Sequence, residues 1–149
     1  MVDSNNKIRY IYAPNLLTAS LVNIRENLSL SSITLTSLTG VTNGDFVVSF
    51  TDSLPSLDLL SLIDVNSNSI IIANGSVLSA ITFNTSLNCI NFNLTENILS
   101  QDSVDDIFTK IDNFGLTGGT IDISGGSNAI PSPGLIASLQ DKDWTVKTN

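Results

Sequence analysis

Apolar and polar residues alternate with a period of two in Ile8–Tyr12, Leu28–Leu38 and Phe46–Phe50, the pattern of strands with one buried face. Turn formers separate these runs: Ala13-Pro14-Asn15, Thr42-Asn43-Gly44-Asp45 and Asn74-Gly75. Leu54–Ile63 fits two structures. Pro55 can open a short helix with Leu59, Leu60 and Ile63 inward, and the same residues suit a buried strand. No long linker or low-complexity tract divides the chain.

From Ile63 onward a spacing emerges. Ile63, Ile72, Ile81 and Ile90 recur every nine residues, which suggests stacked short units. Ile90-Asn-Phe92-Asn then aligns with Ile121-Asp-Ile123-Ser, an offset of 31 residues, and Trp144-Thr-Val146 follows 23 residues later. Between these strands the period becomes helical. Ser103 is placed to cap Val104–Asn113, with Asp106 at the third helical position, Val104, Ile107, Phe108 and Ile111 on one face, and Gly115 at the stop. Ser132 precedes Pro133 at the head of a second helix with Leu135, Ile136 and Leu139 inward. Strand, helix, strand, helix, strand predicts parallel strands at the C-terminal end. Asn97 and Asn128 occupy equivalent places after an inward strand residue, where an amide can satisfy backbone groups of the neighbouring unit.

At 149 residues and 15.8 kDa the chain has the size of one compact body. Ile and Leu together number 36 against 9 aromatic residues, so the core is aliphatic. Ser, Thr and Asn number 52, whereas charged residues are 13%, roughly half the usual share. The wettable surface is therefore made of hydroxyls and amides. The absence of His removes the commonest general acid/base, the Ser-His and Cys-His nucleophile pairs and the commonest metal ligand. A net charge of −8, with Lys7, Arg9, Arg25, Lys110, Lys142 and Lys147 scattered, argues against nucleic-acid binding and against anionic lipid surfaces. Apolar runs such as Leu57–Ile63 and Ser69–Ala73 fall far short of the roughly 20 residues that span a bilayer, so no membrane insertion is expected. The polar stretch Met1–Lys7 lacks the pattern of a secretory signal. Cys89, the sole cysteine, can form no intrachain disulfide and reads as a small buried hydrophobe. The sequons at Asn27, Asn74, Asn84 and Asn93 matter only in a glycosylating pathway.

Candidate chemistry is sparse. Asp64-Val-Asn66-Ser-Asn68 resembles half a calcium loop, but Ser69 and Gly75 stand where Gly and the bidentate Glu belong, so a turn is expected. Asp102, Asp105 and Asp106 cluster where a helix start favours negative charge. Gly115-Leu-Thr-Gly118-Gly119 and Gly125-Gly126 lack a P-loop ending and the dinucleotide spacing, and are expected at turns with positive φ. Trp144 is expected as a plug over the end of the core. No catalytic, cofactor or metal site is assigned, and a non-enzyme is expected.

From Leu87 to the C-terminus, Leu87-Asn-Cys-Ile-Asn-Phe-Asn-Leu-Thr-Glu-Asn-Ile-Leu-Ser100, Ser103–Gly115, Gly118-Gly-Thr-Ile-Asp-Ile-Ser-Gly-Gly-Ser-Asn-Ala-Ile-Pro-Ser132 and Lys142-Asp-Trp-Thr-Val146 resemble the C-terminal end of leucine-rich-repeat-like proteins of Bacteroidota and their bacteriophages. Ile63–Ser86 carries only a degenerate Leu-x-x-Leu-x-Leu pattern. With this resemblance the expected fold is β-rich with a C-terminal α/β part. Residues 1–55 would form a β-rich N-terminal region, for which further solenoid, a sandwich and an assembly arm are the alternatives, and residues 56–149 a degenerate leucine-rich-repeat-like solenoid ending in βαβαβ. The resemblance implies a structural protein of a phage virion, with other virion proteins and copies of itself as partners. The alternative is an adhesin-like module on a bacterial surface that contacts a host glycan or protein receptor. Grip on a sugar would need exposed aromatic rings, and most of the nine are expected in the core.

Overall fold

The structure, a computed structural model, describes residues 1–66 and 68–149. Its elements in chain order are β1 (Val2–Asp3), β2 (Tyr10–Tyr12), β3 (Thr18–Ala19), β4 (Val22–Arg25), β5 (Ser32–Thr34), β6 (Gly40–Val41), β7 (Phe46–Ser49), β8 (Ser56–Leu59), β9 (Ser69–Ala73), β10 (Ala80–Phe83), β11 (Asn91–Asn93), α1 (Gln101–Asn113), β12 (Thr120–Asp122), α2 (Pro133–Gln140) and β13 (Thr145–Lys147).

Seven strands form one parallel sheet in the order β1-β4-β7-β9-β11-β12-β13. Val2 lies beside Ile24, Val22 beside Phe46, Phe46 beside Ile70, Ile70 beside Phe92, Phe92 beside Ile121 and Ile121 beside Val146, so partners stand 22 to 29 residues apart. Parallel neighbours require a long return path. Here that path carries the smaller parallel pairs β2 with β5, β8 with β10, and β3 with β6, the last continued by single bridges from Gly40 to Asp64 and from Asp64 to Asn88. One circuit from a strand of the large sheet to its neighbour is a course. Helices α1 and α2 lie on the return path of the last two courses, α1 packing beside β10 and α2 beside α1. A helix advances only about 1.5 Å per residue against about 3.3 Å for a strand, so the α1 course needs more residues than the all-strand ones.

The inward column of the sheet is Val22, Phe46, Ile70, Phe92 and Ile121, each at most 8% exposed. It joins Leu30, Leu38, Leu57, Ile81 and Phe83 from the return paths in a single core. Strand β7 pairs along four residues with β9, so sheet and core run unbroken past residue 55.

The helices follow the expected faces: Val104, Ile107, Phe108 and Ile111 are buried in α1, and Leu139 in α2. The cap differs. Helix α1 starts earlier, with Ser100 accepting from the Ser103 N–H, while Ser103 itself is buried and its Oγ accepts the Ile81 N–H at 3.1 Å. Ser132 makes no side-chain cap to α2; its hydroxyl and N–H both go to Asp105 of α1, at 2.7 and 2.9 Å. Within Leu54–Ile63 only Ser56–Leu59 is strand, β8, and Leu60 and Ile63 are exposed; of Leu28–Leu38 only Ser32–Thr34 is strand.

Two spacings are corrected. The nine-residue Ile interval is not the stacking repeat: Ile72 sits in β9 of the large sheet, Ile81 in β10 of a separate pair, and Ile63 is exposed. Ile121 pairs with Phe92 rather than Ile90, and with Val146 rather than Trp144. Both alignments slip by two residues, which a strand tolerates because its faces alternate with period two.

Burial of polar groups follows the courses. Asn97 donates to Ile72 O (2.7 Å) and Leu94 O (2.8 Å) and accepts from Gly75 N (3.0 Å). Asn128 donates to Leu94 O and Ile123 O and accepts from Leu99 N. These are the backbone contacts expected of the two amides. Asn27, fully buried, does the same between Arg25 O, Val2 O and Asn5 N. Its burial also closes that sequon to modification in the folded state.

Carboxylates tie α1 to the chain around α2. Lys142 donates to Asp112, and this hydrogen bond, helped by Ser138, holds the Asp112 carboxyl below its ordinary value against the opposing effect of burial. The Ser132 N–H and hydroxyl lower Asp105 likewise. A depressed carboxyl contributes stability that is present above the unfolded-state value and is lost as pH falls through the folded one. We therefore expect the urea midpoint to fall as pH drops below about 4. That fall should be shallower in Asp112→Asn; equal slopes in variant and wild type would remove Asp112 from this role.

Candidate functional site

The seven-stranded sheet has a second face, turned away from the core. Because side chains alternate along each strand, its rows run across the strands as Asp45, Ser69, Asn91, Thr120, Thr145 and as Asn23, Val47, Ile71, Asn93, Asp122, Lys147. On the C-terminal half these residues line a groove of about 500 Å³. Ile71 is its half-buried apolar floor, and Val47 beside it is only 4% exposed although it points outward.

The groove's polar groups are preset. Thr120 Oγ1 donates to Asn91 Oδ1 at 3.2 Å, Asn93 Oδ1 accepts from the Thr95 hydroxyl and N–H, and Asp45 Oδ1 accepts from Ser69 N. Lys147 Nζ lies 3.4 Å from Asp122 Oδ2. Burial pushes the Asp122 carboxyl up, but hydrogen bonds from Ser124 and the Lys147 ammonium outweigh it, and its value falls below the ordinary one. Asp122 is thus a held carboxylate, the opposite of a raised general acid. The face offers short amides, hydroxyls and two opposed charges on a rigid frame. On the neighbouring part of the same face the Asn23 Oδ1 atom is buried without a hydrogen-bond partner.

The candidate residues named from sequence fall elsewhere. Asp64 Oδ1 accepts from Asn66 N and Asn88 Nδ2, and Asn68 Nδ2 donates to Val65 O, so these side chains hold a turn and its neighbouring course; Ser67 lies outside the described residues. Among the described residues no three acidic or sulfur ligands converge on a point. Asp106 pairs with Lys110 at 2.7 Å one helical turn on, and Asp105 is committed to Ser132, so the acidic cluster is divided among separate partners. Burial raises the Cys89 thiol to about 11, against the lowering effect of its backbone hydrogen bonds, which leaves it protonated and unreactive.

Gly115, Gly118, Gly125 and Gly126 have positive φ, as expected of turns. Gly119 does not. A β-carbon there would lie 2.5 Å from the Trp144 ring, so this glycine makes room for the indole. Trp144 is 3% exposed, donates to Leu116 O at 3.0 Å and packs against Phe92, over the last turn of the core. Five of the nine aromatic rings are buried, as expected of most of them, whereas Tyr10 and Tyr12 are 69% and 77% exposed on the outer side of β2 and Phe50 is 48% exposed. No family model, curated protein or solved structure matches the chain.

Proposed function

We propose that the stacked courses form a degenerate leucine-rich-repeat-like solenoid, closed by the βαβαβ unit from β11 to β13. In this reading the protein is a non-enzymatic structural component of a bacteriophage virion that works through contacts with other virion proteins and with copies of itself. The assignment to a virion rests on the resemblance of residues 87–149. Action by contact is supported chiefly by the outward face of the sheet, where Ile71 forms an apolar floor inside a rim of short polar groups. Short side chains lose little rotamer entropy when a partner covers them, and an apolar centre with a polar rim is the usual anatomy of a protein interface. The solenoid reading takes in residues 1–55 together with 56–149, since one sheet carries both.

The test is incorporation into particles. The chain should appear in purified virions, and Ile71→Arg should reduce its incorporation by about tenfold, the effect of losing one central contact, with the far-UV spectrum unchanged. Absence of the wild-type chain from virions would sink the virion assignment; normal incorporation of the variant would remove the groove from it. The second reading, a surface-recognition module for a host glycan or protein, is favoured by one observation, the exposed rings of Tyr10 and Tyr12 on one side of β2. Binding of purified protein to host envelope that is lost in the Tyr10→Ala/Tyr12→Ala double variant would decide for it.

A further inference from the structure

Asn is followed by Gly twice in the chain, at Asn43-Gly44 and at Asn74-Gly75. This dipeptide carries its own reactivity. The backbone N of the glycine can attack the side-chain carbonyl carbon of the Asn, Cγ, because no Cβ crowds its approach and the glycine backbone turns freely. In a folded chain the outcome depends on whether that N–H is bound elsewhere, whether the backbone can rotate, and whether water reaches the site.

The two sites differ in all three respects. Gly75 is buried, and its N–H donates at 3.0 Å to Asn97 Oδ1, whose amide is itself fixed on Ile72 O and Leu94 O. Asn74 is held in the left-handed region at φ 57°, with its own N–H on Thr95 O at 3.1 Å. Attack there requires neighbouring courses to part. Asn43 is exposed, in the turn between β6 and β7, and its φ is outside the left-handed region. Its N–H is tied to Ser20 O at 2.9 Å, but its side chain makes one long contact, from Nδ2 to Ser20 Oγ at 3.4 Å, and among the described residues nothing accepts the Gly44 N–H. The fold also keeps the reactive pair together. A Cβ at position 44 would lie 3.0 Å from Leu21 Cβ, so the turn into β7 favours glycine.

We propose that Asn43 is a site of spontaneous deamidation in the folded protein, whereas Asn74 is protected by burial and by the Asn97 hydrogen bond. The Gly44 N gives its proton to water and bonds to Asn43 Cγ. The Cγ–Nδ2 bond breaks, and the side-chain nitrogen takes up a proton and leaves as ammonia. Water then opens the cyclic imide at either carbonyl, giving an aspartate at position 43 or an isoaspartate whose main chain runs through Cβ and is longer by one carbon. Either product adds one negative charge, taking the net charge from −8 to −9. Gly44 and Asp45 line a small recess on the outward face of the sheet together with Leu21, Asn23, Arg25 and Val47. The new charge and the lengthened turn therefore fall at the edge of that face.

Prolonged incubation of the folded chain in neutral buffer should convert it to a more acidic form on ion exchange, with peptide mapping placing the change at residue 43 and ammonia released in step. Asn43 should react at least about tenfold faster than Asn74, because a site that reacts only through local opening lags one that needs none. In urea that unfolds the chain the two rates should converge. Asn43→Gln, whose longer side chain closes the ring far more slowly, should keep both the original charge form and the wild-type far-UV spectrum. Equal rates at the two sites in the folded chain, an Asn43 rate that rises on unfolding as much as that of Asn74, or the same acidic form arising in Asn43→Gln would each overturn the proposal.

Discussion

Replacing Asn97 by Asp is expected to destabilise the protein by about 3–5 kcal/mol at pH 7, the range for a buried charge left without a partner, and by much less near pH 3.5. Asn97 is fully buried and uses both amide hydrogens on carbonyls, Ile72 O and Leu94 O, which belong to neighbouring courses, while its oxygen takes the Gly75 N–H. A carboxylate can keep the Gly75 bond, but its other oxygen then faces two carbonyl oxygens in a medium that also disfavours charge. The protonated acid can donate to one of them. The folded-state value of this carboxyl is therefore raised above the ordinary 3.9 or so. For a raised value the relative stability is greatest below the unfolded-state pKa and is lost as pH rises through the folded one. The measurement is the difference between variant and wild-type unfolding free energies across that pH range. Asn97→Ala, which strands the same three backbone groups but carries no charge, should show a loss that does not change with pH. Parallel losses for the two variants would refute the electrostatic account and leave only the missing hydrogen bonds.

How much of this could be read from sequence differs by element. The helices were legible because a 3.6-residue period over 8 to 13 residues offers several coincident signals: Val104, Ile107, Phe108 and Ile111 fix the buried face of α1 without reference to anything distant. The caps were less so, since Ser100 and Ser103 both precede apolar residues, and only the tertiary partner at Ile81 assigns Ser103 to the core. Strands of 2 to 5 residues hold one or two alternations, too few to fix boundaries. The strand pairing was hidden because each course has several inward segments and the number of residues between partners varies from 22 to 29. The Ile spacing of nine residues consequently measured the distance from one side of a course to the next. Asn97 and Asn128 were legible as a pair because buried amides must be satisfied wherever they fall. The groove was not, since Ile71 looks like a core residue and Asn91, Asn93 and Thr120 look like turn residues until the strands are set side by side.

Replacing Phe46 by Ala is the other change of large effect, with an expected loss of about 3–5 kcal/mol. Phe46 is fully buried in the inward column with Val22 on one side and Ile70 on the other, so its ring touches the courses both before and after residue 55. Removing it leaves a void between two rigid sheet neighbours, and paired backbones restrict the collapse that would fill it. Under the solenoid reading proposed above, each unit would couple only to its neighbours, so a lesion could melt one end and spare the other. Here the aliphatic core is shared throughout and the strands are short, which makes local melting leave long rows of unpaired backbone at every interface. One transition is therefore expected. Trp144, the only tryptophan, reports from the far end of the core, whereas far-UV circular dichroism averages over all strands. In Phe46→Ala both signals should move to the same lower guanidinium midpoint. If the Trp144 signal keeps its wild-type midpoint while an earlier phase splits off by circular dichroism, residues 1–55 unfold on their own, and the N-terminal arm is a separate folding unit despite the sheet it shares.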